Sequence, residues 1–263
     1  MMQTEDKAIL STVISLFESF ETQGMKSLEY DPEARILITG LKDFFFNNIF
    51  LKKPKDQDKL IEELKSFYQN LAKPLMVWVT AETKSPELEA KMKAHFDSHG
   101  SFYGMLLDVG KAHLIDCPEQ ISIEALETEE AATNYANIFC NLFQLNNTHD
   151  AMKSWLMNQY QNDNPSSINH IAKMNGELAG ICTLSLNYQF SEFKVGGFYN
   201  TCVLPKYRKS GVATAMASHR VKKAKALGLE YLSVILMSDA MARGYCEKLG
   251  FKNYKALTPF FLP

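Results

Sequence analysis

The residues best suited to chemistry lie between 203 and 214: Val203-Leu204-Pro205-Lys206-Tyr207-Arg208-Lys209-Ser210-Gly211-Val212-Ala213-Thr214. An apolar, strand-like run ends here and a helical pattern begins. Pro205 stops the strand because it has no N–H to give to a ladder. Gly211 stands where the backbone must turn into the helix, and its missing side chain lets a ligand approach the amides. The free N–H groups of a first helical turn point outward, backed by the positive end of the helix dipole. Such a turn suits phosphate or pyrophosphate, and Arg208 and Lys209 add charge at the same place. Lys206, Arg208, Lys209, Arg220, Lys222, Lys223 and Lys225 form a cluster without an acid between positions 206 and 225. A like-charge cluster is either a solvated face or an anion site.

The elements around this turn follow from periodicity. Upstream, Ile121–Ile123 reads as a short strand, and two helical segments run over about 128–142 and 148–160. Runs at 168–173 and 178–186 form a hairpin across Asn175-Gly176, a strong short-range hairpin signal. A strand at 194–203 leads into the turn. Ala213, Met216, Ala217, Val221, Ala224 and Leu227 then mark one face of a helix over 210–227, with Gly228 as its cap. A buried strand at 232–236, a helix over 239–249 and a last strand from 251 complete the chain.

This order resembles the acetyl-CoA-binding segment of the Gcn5-related N-acetyltransferase (GNAT) superfamily. The family pattern Arg/Gln-x-x-Gly-x-Gly/Ala is met by Arg208-Lys209-Ser210-Gly211-Val212-Ala213, after a Val-x-Pro-x-Tyr-Arg run met by Val203–Arg208. The expected strand, helix and closing Leu-Gly-Phe follow at 232–236, 239–249 and Leu249-Gly250-Phe251. The resemblance covers about residues 119–263. It implies an α/β fold, with a mixed, mostly antiparallel sheet flanked by helices. It also implies that backbone groups of Thr201, Cys202 and Val203 pair with the pantetheine arm of acetyl-CoA, and that the amides of Lys209, Ser210, Gly211, Val212, Ala213 and Thr214, with Arg208 beside them, bind its pyrophosphate. Arg220–Lys225 either meets the 3′-phosphate or is solubilising surface. A backbone N–H near the end of the 194–203 strand is expected to stabilise the oxyanion of the tetrahedral intermediate.

The proton donor is open between two residues. The family often has a tyrosine four residues before the Gly of the closing Gly-Phe, and counting back from Gly250 selects Cys246. Counting forward from Ser238 selects Tyr245. One residue is a turn of about 100° on a helix, so one of the two faces the sulfur of CoA. Cys246 is otherwise a small apolar filler. As a general base, Glu192 and Tyr199 are within reach of a substrate amine, or are a solvated turn residue and sheet packing respectively. His95 and His99 have the i, i+4 spacing of helical metal ligands, but no third ligand accompanies them and no metal is expected.

Residues 1–118 contain no Arg-x-x-Gly-x-Ala-like element. A helix is expected over 4–23 (Ile9, Leu10, Val13, Ile14, Phe17, Phe20), strands at 35–38, 44–50, 75–79 and 102–109, a charged helix at 55–71, and a helix from Ser85-Pro86 to about 98. Phe46–Phe50, Pro74–Val79, Ser85–Glu89 and Gly104–Asp108 are similar to the N-terminal half of two-lobed acetyltransferases, a degenerate GNAT-like lobe without cofactor. The alternative is an unrelated α/β lobe. The boundary is placed near the polar stretch Asp116–Glu119, which divides the chain into 1–118 and 119–263. The first part has 14 basic and 18 acidic residues (14 − 18 = −4), the second 14 and 12 (14 − 12 = +2).

Composition narrows the classes. The chain has 263 residues, 46% hydrophobic and 22% charged, which fits folded protein rather than disorder. A net charge of −2 argues against a nucleic-acid binder. No run approaches the roughly 18 apolar residues of a membrane helix, and MMQTEDK is acidic where a secretory signal is basic. Five cysteines without a CxxC pair suit a reducing cytoplasm rather than a disulfide or zinc framework. The resemblance implies transfer of acetyl from acetyl-CoA to a small-molecule or peptide primary amine in a ternary complex, by a monomer or homodimer. The competing classes are an acyl-CoA sensor that lost its chemistry with the tyrosine, and a binder of another nucleotide on the same turn.

Overall fold

The computed structural model describes residues 4–20, 26–28, 34–38, 41, 43, 46–51, 54, 56–71, 74–80, 83–98, 102–145, 148–187, 194–237 and 242–262. In the first part of the chain these form α1 (Thr4–Glu18), β1 (Lys26–Leu28), β2 (Ala34–Ile38), β3 (Asn48–Leu51), α2 (Gln57–Leu71), β4 (Leu75–Val79), α3 (Pro86–His95), β5 (Asp97–Ser98) and β6 (Phe102–Asp108). The second part forms β7 (Ile121–Ala125), α4 (Glu129–Phe143), α5 (His149–Gln161), β8 (Ser167–Met174), β9 (Glu177–Asn187), β10 (Val195–Val203), α6 (Val212–Ala226), β11 (Tyr231–Met237), α7 (Ala242–Leu249) and β12 (Lys252–Leu262).

Local chemistry sets several boundaries. Ser85 caps α3 by accepting from the Leu88 amide at 3.1 Å, with Pro86 in the first turn. Thr128 caps α4 in the same way through Ala131 at 3.1 Å. Such caps contribute about 1 kcal/mol each. The α3 pattern predicts a helix to about 98, but it ends at His95. Phe96 turns extended, and Asp97 and Ser98 pair with Phe261 and Phe260 of β12. A tertiary strand pairing outweighs the last turn of helical propensity. Asn175 and Gly176 both take positive φ, 52° and 81°, at the tip of the β8–β9 hairpin, as a type I′ turn requires.

The strands form one mixed, mostly antiparallel sheet in the order β1-β2-β3-β4-β12-β6-β11-β10-β9-β8-β7, with β5 beside β12. The parallel pairs are β3–β4 and β10–β11. Each arises from a strand–helix–strand unit, β3–α2–β4 and β10–α6–β11, so the two parts of the chain repeat the same order. They also exchange their closing strands. β6 pairs with β11 from Asp108↔Tyr231 to Phe102↔Met237. The last strand, β12, pairs with β6 over its first residues and with β4 from Thr258↔Val79 to Leu262↔Leu75. The polar stretch near 118 is therefore not a break in the sheet.

Alternation along the strands separates two layers. Met76 and Trp78 face a core shared by α1, α4 and α5, whereas Leu75, Val77 and Val79 face α2 and α3. On the other side, Met105 and Leu107 of β6 join Phe198, Leu232 and Val234 of the second part in packing on α6 and α7. The shared core joins residues from both parts: Trp155 Nε1 donates to the Ser19 carbonyl at 3.0 Å, and its ring lies 4.6 Å from that of Phe20. Trp78, expected in the core, is buried and donates from Nε1 to Asn48 Oδ1 at 2.9 Å.

Exchange of closing strands and a shared core predict that both parts unfold together. The chain has two tryptophans, Trp78 in the first part and Trp155 in the second. Single-tryptophan variants Trp78→Phe and Trp155→Phe should each show one urea transition, and the stability lost to either substitution should appear in the other tryptophan's signal. A fluorescence change at one tryptophan that leaves a native baseline at the other would contradict this.

Candidate functional site

The site begins where two strands part. β10 pairs with β11 only from Val195↔Tyr231 to Phe198↔Val234. Beyond these pairs β11 continues along β6, while β10 stays with β9 alone. The ladder with β9 shifts between Tyr199 and Cys202, and Asn200 takes φ 50°. Such a bulge turns the strand and strengthens its twist. At Gly180, opposite Val203, an added Cβ would meet the Cys202 carbonyl oxygen at 2.6 Å, so the close approach of β9 to the bulge requires glycine. The edge of β10 facing β11, from Tyr199 to Val203, thus lies inside the sheet without a neighbouring strand. Thr201, Cys202 and Val203 are on it.

β10 leads into the phosphate-type turn. Lys209 has φ 64° and Gly211 φ 93°; Gly211 is the residue before α6, and that angle strains any residue with a Cβ. The first α6 amide bonded to a backbone carbonyl is that of Ala215, which donates to Gly211 at 2.9 Å. Helix geometry leaves the preceding amides without an intrahelical acceptor. Ser210 Oγ donates to the Tyr207 carbonyl at 2.6 Å and braces the turn. Arg208 and Lys209 are exposed at it. Lys206 does not join them, because it pairs with Glu177 at 2.8 Å, and Tyr207 donates to the same carboxylate at 2.5 Å.

Arg220 departs most from the sequence expectation. It is not part of a basic surface with Lys222, Lys223 and Lys225, which are exposed. Its side chain is fully buried, with 0% exposure, and its guanidinium lies 3.9 Å over the Phe198 ring. Nε donates to the Met216 carbonyl at 3.3 Å, and Nη1 to the carbonyls of Thr183 at 3.1 Å and Tyr199 at 3.5 Å. Nη2 donates to Thr201 Oγ1 at 2.9 Å. One side chain of α6 therefore ties β9 to the bulge in β10, at Tyr199 and Thr201. The signal was present in the sequence. Arg220 falls four residues after Met216 and four before Ala224, inside the apolar stripe of α6.

Helix α7 brings the two candidate donors to the same place in different environments. Cys246 has 0% exposure and packs with Phe198, Leu249 and Phe251. Burial pushes its thiol up to about 12, against the opposing charge of Arg220. Tyr245 is half-buried and packs against the same core. Burial raises its phenol above the ordinary value, and the neighbouring Cys246 adds to this; Arg220 and Thr201 oppose it. Both groups carry their protons at neutral pH.

Of the two candidate bases, only Tyr199 is among the described residues. Burial pushes the Tyr199 phenol up, and its hydroxyl is bonded to Thr12 at 2.9 Å. Glu192 lies outside the described residues, as does His99. His95 ends α3, and among the described residues no three His, Cys, Asp or Glu side chains gather as metal ligands. Thr12 was not anticipated. It sits within the apolar stripe of α1 and also meets Ser233 of β11 at 2.5 Å. Helix α1 therefore covers the parting strands from one face, and α6 and α7 cover them from the other.

Comparison with known proteins agrees with this geometry. Residues 133–251 match the family model described as Acetyltransferase (GNAT) family. No curated protein sequence matches the chain. A GCN5-related N-acetyltransferase from Kribbella flavida has a similar structure, with TM-score 0.71 and 12% identity over 100% of this chain and 97% of that one. A GCN5-related N-acetyltransferase from Sphaerobacter thermophilus gives TM-score 0.65 and 13% identity over 89% and 82%. A tandem GNAT protein from the clavulanic acid biosynthesis pathway gives 0.60 and 12% over 87% and 78%. These likenesses establish the fold.

Placement of Cys246 in the core has a direct check. Of the five free cysteines, only Cys117 is exposed. Ellman's reagent should titrate one thiol rapidly in the native protein and all five after unfolding. A second rapid thiol that disappears in Cys246→Ser would place Cys246 on the open side of the cleft.

Proposed function

We propose, from the match of residues 133–251 to the model of the GNAT acetyltransferase family, that the protein is an acetyl-CoA-dependent N-acetyltransferase acting on a primary amine in a ternary complex. The observation that carries this reading is the parting of β10 from β11 beside the Gly211-led amides of α6. A strand edge exposed within a sheet accepts an extended, amide-bearing chain as an added strand. A helix N-terminus a few residues further on accepts a pyrophosphate. The pantetheine arm and diphosphate of CoA carry both groups in that order. The residues present fit acetyl-CoA, which would supply an activated acetyl thioester.

In this reading the main chain of Thr201, Cys202 and Val203 holds the arm, and the amides of Lys209, Ser210, Gly211, Val212, Ala213 and Thr214 hold the diphosphate with Arg208 beside it. A β10 backbone N–H faces the charge that develops on the carbonyl oxygen. Tyr245 gives its proton to the departing sulfur, and Cys246 packs beneath it. Tyr199 holds the cleft through Thr12 rather than acting as the base.

Residues 1–118 and 119–263 are two lobes that have exchanged closing strands, with the cofactor in the second. In the first lobe, β3 and β4 stay bridged past their ladder, where Thr80 Oγ1 donates to the Leu51 carbonyl at 3.4 Å. That lobe supplies α1 as one wall of the acceptor cleft. The five unpaired cysteines suit a reducing, cytoplasmic setting. Among the described residues no helix is long and apolar enough to cross a membrane.

Acetyl-CoA should raise the melting temperature where ATP does not, and thiol release should appear with at least one member of a panel of small amines and peptides. Gly211→Glu should abolish both. Tyr245→Phe should lower kcat by about 10²–10⁴-fold, the usual worth of a positioned acid, and by more than Cys246→Ala does. The reverse order would make Cys246 the donor. Because burial raises the Tyr245 pKa above its ordinary value of about 10, the donor stays protonated and kcat should not fall between pH 7 and about 10. Stabilisation by acetyl-CoA without turnover on any amine would favour a sensor, and stabilisation by ATP alone would overturn the cofactor assignment.

A further inference from the structure

Val203 is where the open edge of β10 meets the phosphate-type turn. In an antiparallel pair, residues whose N–H and C=O both face the partner strand alternate with residues whose groups face away from it. The Leu204 amide donates to the Ala179 carbonyl at 2.9 Å, and the register sets Val203 opposite Gly180 and Cys202 opposite Ile181. Leu204 and Cys202 therefore face β9. The N–H and C=O of Val203 face the side that β11 has left.

The Val203 carbonyl is not bare on that side. Arg208 turns back from five residues further along the chain, and its Nε donates to this oxygen at 3.4 Å. The bond is long for its kind, and it is exposed. Among the described residues the Arg208 guanidinium makes no other hydrogen bond and has no carboxylate partner. Its neighbour Lys206 is held by Glu177 at 2.8 Å instead. Arg208 thus stands at the junction of the two half-sites. On the β10 side it takes the place of a ligand amide. On the α6 side it lies beside amides without an intrahelical acceptor. An added strand lies about 4.8 Å from its neighbour, so an extended arm on β10 and a guanidinium on the same carbonyl compete for one space. A guanidinium bonds phosphate oxygens more strongly than it bonds a neutral carbonyl.

We propose that Arg208 is a specificity-determining residue: it caps the Val203 carbonyl in the free protein and leaves it for a diphosphate, so the strand edge opens fully only to an acyl thioester joined to a nucleotide diphosphate. The inference rests on the acetyltransferase reading of the site. It narrows the acyl donor to acyl-CoA and disfavours acyl groups carried on pantetheine without the diphosphate. The two halves of the ligand then assist each other. The diphosphate draws Arg208 away, and the arm finds the Val203 carbonyl free. By linkage each half raises the affinity of the other by the same factor.

Fragments of the ligand test this on the full chain. Binding of pantetheine, which carries no phosphate, and of ADP is measured by NMR titration for the unaltered protein and for Arg208→Ala, with CoA alongside. Arg208 is exposed, so the substitution leaves the core untouched. ADP affinity should fall by about tenfold, as for the loss of one hydrogen bond to a charged group, and CoA affinity should fall with it. Pantetheine should bind Arg208→Ala more tightly, by about two- to tenfold, as for the removal of one competing hydrogen bond. Saturating ADP should tighten pantetheine binding to the unaltered protein and leave it unchanged in Arg208→Ala. A general loosening of the turn would weaken both fragments. Pantetheine affinity that is equal or weaker in Arg208→Ala, or binding that is undetectable in both proteins, overturns the cap while CoA binding keeps the cofactor site. If the unaltered protein binds neither CoA nor acetyl-CoA, the site reading itself fails, and the cap with it.

Discussion

Two adjacent parallel strands that stop pairing in the middle of a sheet leave main-chain donors and acceptors exposed to each other's former place. Buried backbone groups need partners, so such a gap persists only where the structure holds it open and something else fills it. Here β10 and β11 separate after Phe198 and Val234. The bulge at Tyr199–Cys202 bends β10 away from its partner. Arg220 reaches from α6 to fasten that bend to β9, and Thr12 reaches from α1 to join Tyr199 and Ser233 across the two strands. Polar side chains on opposite faces of the sheet hold the same separation.

That arrangement explains why the first part of the chain belongs to the site. β11 is fixed on its far side by β6, which comes from the first part, and β6 is flanked in turn by β12 from the second. With strands exchanged in this way, neither half presents a complete sheet alone. The geometry of the cleft is set by the whole chain, although the phosphate-type turn is local. In the first half the corresponding strands remain bridged through Thr80, so a repeated strand order yields one open cleft and one closed one.

Much of this was legible in the sequence because it rests on local rules. Pro205 and Gly211 mark the end of a strand and the start of a helix whatever surrounds them, and Asn175-Gly176 marks its hairpin through backbone geometry alone. Ser85 is a cap by the same logic. What escaped depends on distant partners. The length of α3 was overestimated because β12, more than 150 residues later, claims Asp97 and Ser98. Arg220 reads as one of a run of surface bases until its place in the apolar stripe of α6 is weighed above its charge. Thr12 likewise is a polar residue inside an apolar stripe. The register between Tyr245 and Cys246 could not be settled by counting, because it depends on which face of α7 is buried against the core around Phe198.

The central claim is that the open edge of β10 and the amides leading α6 bind one extended ligand together. Amide hydrogen exchange, with and without acetyl-CoA, reads those groups directly. Protection appearing jointly in residues 199–203 and 209–214, and lost in Gly211→Glu, is the expected result. Unchanged exchange in these two segments at saturating acetyl-CoA, or protection confined to residues 1–118, would contradict the account.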